Sequence, residues 1–346
     1  MLNSFNHYRA IAIILIVMGH SIHAAGAHLE VETLPSKSLL NIMYGGTSLF
    51  VFISGFLFHH VFYRKYQYKN FLVKKMINVM VPYLLLSFGP VYFMVIGIGS
   101  HEPYFIPAKS GIIHEYILPA AKYYISGTSL TGYWYIPFIM VIFALSPFHV
   151  KYITLSLRLQ LLIIGILSVV SILIHRPVSN INVLQSVIYF TPVYLIGITA
   201  SANKDTIYEY LKGRELYLLV VVVSLAILQA KSDHIGSYHK RPFDYGGVDL
   251  MYCQKIAMCF FMMVWLYRFE SYNNKIVHSI AAMSFCVYFI HPFILWFYIK
   301  WGFDFSNINP VIVTVLLTIT IFIISITIGK LVRAICPKYS RFIIGY

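Results

Sequence analysis

The chain has 346 residues, of which 59% are hydrophobic and only 11% are charged, whereas a soluble domain averages about a quarter charged residues. This composition excludes a water-soluble globular protein and indicates a chain that has lipid as its solvent. The formal charge of +14 would indicate a nucleic-acid partner only if the cations formed a continuous basic surface.

Ten hydrophobic stretches follow one another along the chain, each close to the ~20 residues that span a bilayer. They are residues 10–27, 39–63, 76–99, 133–150, 159–175, 184–202, 215–230, 250–267, 277–300 and 309–329. Continuous apolar runs of this length predict helices rather than barrel strands. Because no stretch between them is long and polar enough to form a soluble domain, we expect an all-α integral membrane protein of about ten transmembrane helices, with a single transmembrane domain over residues 1–346.

The basic residues are divided unevenly between the two sides of this arrangement. With the N-terminus in the cytoplasm, 17 of the 26 Lys and Arg residues lie at cytoplasmic helix ends and loops, eight lie in outer loops, and Lys255 lies inside the eighth span. This asymmetry follows the positive-inside rule and predicts that both termini are cytoplasmic. The basicity therefore reflects topology, and we expect no nucleic-acid partner. The four cysteines form no CxxC pair, so we expect neither a disulfide framework nor a metal site.

Two outer segments are long enough to take part in ligand binding. Residues 100–132 include a predicted interfacial amphipathic helix, IIHEYILPAAKYY, and residues 231–249 mix aromatic with charged side chains. Such loops suit a polar extracytoplasmic ligand such as a sugar chain, and they equally suit anchoring of tyrosines at the membrane interface.

The first hydrophobic segment has an arginine at its start, Arg9, and a histidine, His20, eleven positions further on. A helix separates them by roughly 16 Å along its axis, which places Arg9 at a membrane surface and His20 around the middle of the bilayer or beyond it. An ionisable residue inside a membrane is costly and is a functional candidate. His20 is either a general base that activates a hydroxyl or a histidine that hydrogen-bonds to a neighbouring helix for packing.

Arg9 also has two interpretations, an anchor whose head extends to the membrane surface or a forked donor for phosphate. Coenzyme A offers phosphates and a long arm that ends in a thioester, of roughly the reach that the rise from Arg9 to His20 requires. Lys74 and Lys75 are likewise either cytoplasmic anchors or contacts to the phosphates of a donor.

Three further residues carry candidate roles. Ser54 is a nucleophile or, with Gly55, a small residue that lets a neighbouring helix or ligand approach the second span, and nothing is spaced beside it to form a triad. His291 lies at a depth similar to that of His20 and either contacts substrate or has a structural role before Pro292. Trp134 is an interfacial anchor or a platform for a sugar.

Several segments of the chain resemble the motifs of a known protein family, and they follow one another in the same order as in that family. The segments are RAIAIILIVMGH at 9–20, FVFISGF at 50–56, Lys74-Lys75 before Pro82-Tyr83, Trp134-Tyr135-Ile136 followed by Ser146-Pro147, and SFCVYFIHP at 284–292. Together they resemble the motifs of the membrane-bound acyltransferase family 3, whose members O-acylate bacterial surface and secreted glycans. The resemblance covers about residues 9–292. Where many members carry a second arginine shortly before the proline of the third span, this chain has Asn78-Val79.

The resemblance implies an architecture of ten spans, Arg9 and His20 as the essential catalytic pair, and acetyl-coenzyme A as the acyl donor. Arg9, Lys74 and Lys75 are then expected to bind the donor. The expected substrate-binding residues are Ser54, Trp134, Tyr288 and His291. We therefore expect an O-acetyltransferase of the bacterial inner membrane, surrounded by lipid, with a glycan acceptor and polysaccharide-assembly proteins as candidate partners.

Two other classes of function remain open. A transporter or flippase for a glycan precursor would use the same apolar spans, with Arg9 and His20 as a gating or coupling pair. A non-catalytic scaffold in a polysaccharide-assembly complex would explain the topology but would leave the buried His20 without a role. The ordered motifs favour catalysis. The sequence names neither the acceptor hydroxyl nor the oligomeric state, and it does not distinguish acetyl from succinyl or direct transfer from a covalent acyl relay.

Overall fold

The computed structural model describes residues 2–26, 32–98, 103–107, 109–302 and 308–346. The chain is 78% helical, as expected where lipid offers no hydrogen bonds and each segment has to satisfy its own backbone groups. In chain order the α-helices are α1 (Asn3–Ala24), α2 (Leu34–Met43), α3 (Gly46–Leu57), α4 (Tyr68–Lys75), α5 (Val81–Tyr92), α6 (Leu118–Ser126), α7 (Tyr135–Ala144), α8 (Ser146–Ile153), α9 (Leu157–Ile174), α10 (Val183–Ala202), α11 (Lys204–Leu211), α12 (Glu215–Lys231), α13 (Leu250–Tyr267), α14 (Lys275–Ala282), α15 (Ser284–Lys300), α16 (Pro310–Ile335) and α17 (Ser340–Ile344).

Shorter elements continue or connect these helices. The π-helical turns are Phe58–Phe62, Met76–Met80, Phe93–Ile98 and Ile113–Ile117, and the 3-10 turns are Tyr63–Lys65 and Val178–Asn180. Two-residue strands, β1 (Arg176–Pro177) and β2 (His239–Lys240), pair in parallel with Arg176 opposite His239. The expected amphipathic helix is present as the last π-helical turn and α6.

The count of membrane-crossing helices is close to the predicted one. In the described part of the chain seven helices are long and apolar enough to cross a bilayer, or nine if the bent pairs α7–α8 and α14–α15 each form one span. The remaining predicted stretch, 215–230, coincides with the 17-residue α12. The prediction of an all-α integral membrane protein is confirmed, while the count of ten and the cytoplasmic termini stay predictions. Residues 27 and 99, at the ends of two predicted spans, lie outside the described residues.

Two spans bend where the helix ladder is interrupted. The α7–α8 pair bends by 56° and the α14–α15 pair by 68°. Pro147 stands at the start of α8, where its missing N–H prevents continuation of the α7 hydrogen bonds. In the other pair Met283, with ψ of 5°, interrupts the helix just before Ser284. This second bend places the start of α15 inside the bundle.

The second span is broken inside the bundle, and a buried lysine stabilises the break. Helix α2 ends at Met43, and Gly45 adopts a left-handed conformation (φ 78°) before α3 begins. The Lys255 ammonium donates to the carbonyl oxygens of Asn41 at 3.0 Å and Ile42 at 2.8 Å. Because a buried carbonyl without a donor is costly, this contact accounts for the intramembrane charge whose partner the sequence does not reveal.

Helices α3 and α10 touch through their glycines. A Cβ atom at Gly55 would lie 2.0 Å from the carbonyl oxygen of Tyr194, and one at Gly197 would lie 2.2 Å from that of Phe52. Only glycine therefore permits this separation. The close approach of a helix to Gly55, one of the two outcomes expected from the small residues of the second span, is present.

Candidate active site

One polar cavity, here called the histidine cavity, lies beside the break in the second span and has a volume of about 620 Å³. Its walls come from α1, the break itself, the turn before α7, the β1–β2 pair and α15. The polar and aromatic residues that line it include His20, His23, Tyr44, Thr131, Trp134, Tyr135, Arg176, Asn180, Ser237, His239, Ser284, Phe285 and Tyr288. None of the described lining residues is acidic.

Two histidines from different spans meet at this cavity. The rings of His20 on α1 and His291 on α15 lie 5.5 Å apart between centroids and are inclined by 26°. His291 is fully buried, and its Nδ1 lies 3.1 Å from the carbonyl oxygen of Val287. Since a carbonyl only accepts, Nδ1 carries the proton and Nε2 of the neutral ring offers a lone pair. Within the described structure this Nε2 is buried without a hydrogen-bond partner.

The two imidazoles converge on a small space in front of Gly132. Gly132 has a φ of 84°, and a Cβ atom there would lie 3.6 Å from Nε2 of His291 and 3.7 Å from Nε2 of His20. The other nitrogen of His20, Nδ1, lies 3.3 Å from the hydroxyl of Thr131. When Nδ1 donates its proton to Thr131, Nε2 of His20 is available as a base. A hydroxyl bound in this space can therefore contact both rings.

Tyr288 and Trp134 shape the surroundings of the histidine pair. The Tyr288 hydroxyl donates to the carbonyl oxygen of Gly132 at 2.5 Å and so fixes the turn that faces the two rings. Trp134 is only 8% exposed and stacks on Phe138, with ring centroids 5.5 Å apart. The ring therefore lies in the cavity wall, with little of its surface exposed.

A buried arginine that the sequence did not single out as a candidate, Arg176, also lines the histidine cavity. Arg176 is held in β1, and its guanidinium lies 4.7 Å above the Trp134 ring. Nη1 donates to Ser237 at 2.6 Å and Nη2 donates to Asn180 at 2.9 Å. Its Nε is buried without a hydrogen-bond partner in the described residues, a state that destabilises a fold unless a ligand or water supplies an acceptor.

Another cavity, here called the basic cavity, has a volume of about 730 Å³ and lies at the Arg9 end of α1. Six cations line it, Arg9, Lys74, Lys75, Arg333, Lys338 and Arg341, and none of the described lining residues is acidic or a histidine. This concentration of positive charge favours an anionic ligand of several charges, for which arginine forks and lysine point charges are both suitable.

Aromatic rings hold one of these cations in place. The Lys75 ammonium lies 4.4 Å from the centre of the Phe143 ring, 4.8 Å from that of Phe62 and 5.4 Å from that of Phe71. Cation–π attraction of this kind orients a lysine without neutralising its charge. Lys75 is therefore a preorganised cation of the basic cavity, whereas Lys74 is exposed at its edge.

The two cavities share a wall at the start of α15. Phe285 lines both, and Ser284 lines the histidine cavity. Arg9, which lines the basic cavity, donates from Nη2 to the Ser284 hydroxyl at 3.0 Å. Eleven residues make about three full helical turns, so Arg9 and His20 project from nearly the same side of α1. The helix therefore presents one residue of the pair to each cavity.

The structure assembles the candidate residues from the sequence into these two groups. His20, Trp134 and Tyr288 line the histidine cavity, and His291 packs against it, while Arg9, Lys74 and Lys75 line the basic cavity. Ser54 is the exception among the candidates. It is not one of the described residues that line either cavity, and its side chain lies near enough to the Tyr135 phenol to interact with it.

Sequence reasoning missed four residues as ligand-binding candidates. Arg176 reaches the histidine cavity because β1 pairs with β2, a contact between segments more than sixty residues apart that no local pattern predicts. Arg333, Lys338 and Arg341 were visible as cytoplasmic charges, but their meeting with Arg9 depends on how α16 and α17 pack against α1 and α15. The excess of positive charge near the end of the chain is the sequence feature that could have indicated an anion-binding role.

Apolar helices that enclose polar cavities define an integral membrane protein with a reaction or transport site inside its bundle. The family described as an acyltransferase domain, acyltransferase family 3, matches residues 2–330, nearly the whole chain. The chain therefore belongs to acyltransferase family 3, and it is a membrane acyltransferase. No curated protein and no solved structure matches the chain.

Proposed function

We propose that this acyltransferase is an O-acetyltransferase of the bacterial inner membrane that moves the acetyl group of acetyl-coenzyme A to a hydroxyl of a cell-surface or secreted polysaccharide. The observation that carries the proposal is the junction of two chemically different cavities at Ser284 and Phe285. One cavity offers cations without a base, and the other offers an imidazole pair. A donor with a charged head and a reactive tail matches that division.

In this proposal the basic cavity binds the phosphates of coenzyme A. Arg9, Lys74 and Lys75 contribute from α1 and α4, and Arg333, Lys338 and Arg341 contribute from the C-terminal part of the chain. The thioester then passes the wall at Phe285 and reaches His20, roughly 16 Å along α1 from Arg9.

The C-terminal cations also bear on a departure from the family motifs. The third span carries Asn78 where many relatives have an arginine, and Asn78 lines the basic cavity. Arg341 and Lys338 line the same cavity, and both lie beyond residue 330, where the family match ends. We propose that they supply charge to the donor site that the third span lacks.

The proposed reaction uses His20 as general base. The acceptor hydroxyl donates its proton to His20 Nε2 while its oxygen attacks the carbonyl carbon of the thioester. The tetrahedral adduct collapses with cleavage of the C–S bond, and the thiolate of coenzyme A takes the proton back from His20. The products are an acetyl ester and coenzyme A.

The remaining residues of the histidine cavity would position the acceptor. The lone pair of His291 Nε2 can accept from a second hydroxyl of the sugar, next to the one that His20 deprotonates. Trp134 would contribute to the apolar wall beside the sugar, and Tyr288 holds Gly132 in front of the two imidazoles. Ser54 would act indirectly, through Tyr135.

The test uses membranes that contain the wild type or His20→Ala, supplied with acetyl-coenzyme A labelled in its acetyl group and with host glycan. We expect label to enter alkali-labile ester in the wild type and not in His20→Ala. The matched control is His114→Ala, which removes an imidazole that lines neither cavity and should retain transfer. Retained transfer in His20→Ala would exclude the mechanism. No donor turnover by the wild type would favour a glycan transporter.

A further inference from the structure

The surroundings of Arg176 form a built site for a negative charge. This side chain is 9% exposed, lines the histidine cavity and lies over the Trp134 ring. Two of its N–H groups bond to the neutral acceptors Ser237 and Asn180. The buried Nε has no partner in the described structure, so one edge of the guanidinium retains donors for a further acceptor.

The protein's own charges leave that edge available. Asp249 interacts electrostatically with Arg176, but no ion pair joins them, and its two oxygens accept from the Tyr189 hydroxyl and the Tyr252 N–H, each at 2.8 Å. The neighbouring His175 donates from Nε2 toward the carbonyl oxygen of Gly247. Arg176 is therefore the group with a fixed charge among the described residues of this cavity.

We propose that the acceptor of this enzyme is an acidic sugar, whose carboxylate or phosphate binds the Nε edge of Arg176 inside the histidine cavity. This inference rests on the proposed function, because it assigns an acceptor to the histidine cavity. The geometry places the anion and the reacting hydroxyl in one cavity, so Arg176 orients the sugar toward His20. A neutral sugar would leave the buried guanidinium edge without an acceptor and would be discriminated against.

The experiment measures binding without any donor, so that it does not depend on acetyl transfer. Purified full-length protein in lipid nanodiscs is titrated calorimetrically with methyl glucoside, methyl glucuronoside and methyl glucoside 6-phosphate. We expect at least one anionic glycoside to bind about tenfold more tightly than the neutral one, as a charge-assisted hydrogen bond to arginine allows. The preferred anion distinguishes a carboxylate from a phosphate.

Three variants test whether Arg176 is the cause. Arg176→Gln should abolish the preference, and Arg176→Lys, which keeps the charge without the fork, should retain part of it. The matched control is Lys240→Gln, which removes a cation of the adjacent strand whose ammonium instead contacts the Asp244 carbonyl, and its preference should equal that of the wild type. Gel filtration and thermal melting confirm that each variant is folded.

Results with the wild type or with Arg176→Gln can overturn the proposal. Equal affinity for the three glycosides, or no binding of any of them, would exclude an acidic acceptor at Arg176, as would a full preference in Arg176→Gln. The proposed function fails on a different result, the absence of acetyl transfer from labelled acetyl-coenzyme A. A protein that prefers acidic glycosides but transfers no acetyl group would retain the Arg176 site and lose the enzymatic role.

Discussion

The histidine cavity and the basic cavity meet at one wall but hold their polar groups in different ways. In the basic cavity six cations come from several segments, and Lys74, Lys338 and Arg341 are exposed to solvent. In the histidine cavity Arg176 is the one residue with a fixed charge among the described lining residues, and Arg176, Trp134 and the adjoining His291 are each less than a tenth exposed. The basic cavity therefore has its charge spread over six side chains, whereas the histidine cavity has it on one buried arginine.

This difference predicts how each cavity responds to substitution. Exposed cations are screened by salt, and each contributes only a part of the binding free energy of an anion. The loss of one exposed cation therefore weakens binding little. Buried groups act in a medium of low dielectric and have few substitutes, so the loss of one costs much. Binding of a flexible, charged donor suits the first arrangement, and orientation of a reacting hydroxyl suits the second.

The largest effect is expected for His20→Ala. Loss of a general base costs roughly 10²–10⁴-fold in rate, and because His20 does not line the basic cavity, the affinity for coenzyme A should not change. Single-turnover transfer from labelled acetyl-coenzyme A gives the rate, and calorimetry gives the affinity. If the affinity for coenzyme A fell while the rate stayed the same, the assignment of donor binding to the basic cavity and of catalysis to the histidine cavity would be wrong.

A smaller effect, on affinity, is expected for Arg9→Ala. Charge-assisted hydrogen bonds contribute about 1.5–3 kcal/mol, so the dissociation constant of coenzyme A should rise by one to two orders of magnitude. Arg158→Ala is the control, because Arg158 is an exposed arginine that is not among the described lining residues of either cavity. Unchanged affinity in Arg9→Ala would remove this residue from the donor site.

Lys255→Met tests the scaffold of the histidine cavity. The change leaves the carbonyls of Asn41 and Ile42 without their donor, which should lower the free energy of unfolding by about 1–3 kcal/mol. Thermal unfolding in detergent measures the effect, and Lys231→Met, a change at an exposed lysine, provides the control. Binding of coenzyme A below the melting range should persist. A melting temperature equal to the wild type's would show that the capping bonds do not stabilise the break.

The smallest effects are expected for Lys338→Ala and Arg341→Ala. Each removes one exposed cation and should weaken coenzyme A binding by about two- to fivefold, since exposed charge pairs contribute no more than ~1 kcal/mol. The double variant should also show a weaker dependence of affinity on salt. Lys330→Ala serves as the comparison, because Lys330 is not a described lining residue of the basic cavity. Equal losses of coenzyme A affinity in all three single variants would indicate a general electrostatic effect of surface charge rather than a binding site.

The local chemistry of the chain determined the helical membrane architecture. An apolar run long enough to cross a bilayer has to form a helix whatever its neighbours are, so the predicted spans coincide with helices or bent helix pairs. The ordered motifs, from Arg9 and His20 to the segment ending in Pro292, were enough to indicate the family that the match over residues 2–330 confirms.

The tertiary structure alone decided which side chains share a cavity. The Lys255 ammonium and the Asn41 carbonyl are 214 residues apart in sequence, and Arg176 meets Trp134 only because β1 pairs with β2. Arg341 joins Arg9 only because the last helices pack beside the first. Apolarity is a property of each segment and can be read locally, whereas contacts between distant polar groups depend on the packing of the whole bundle.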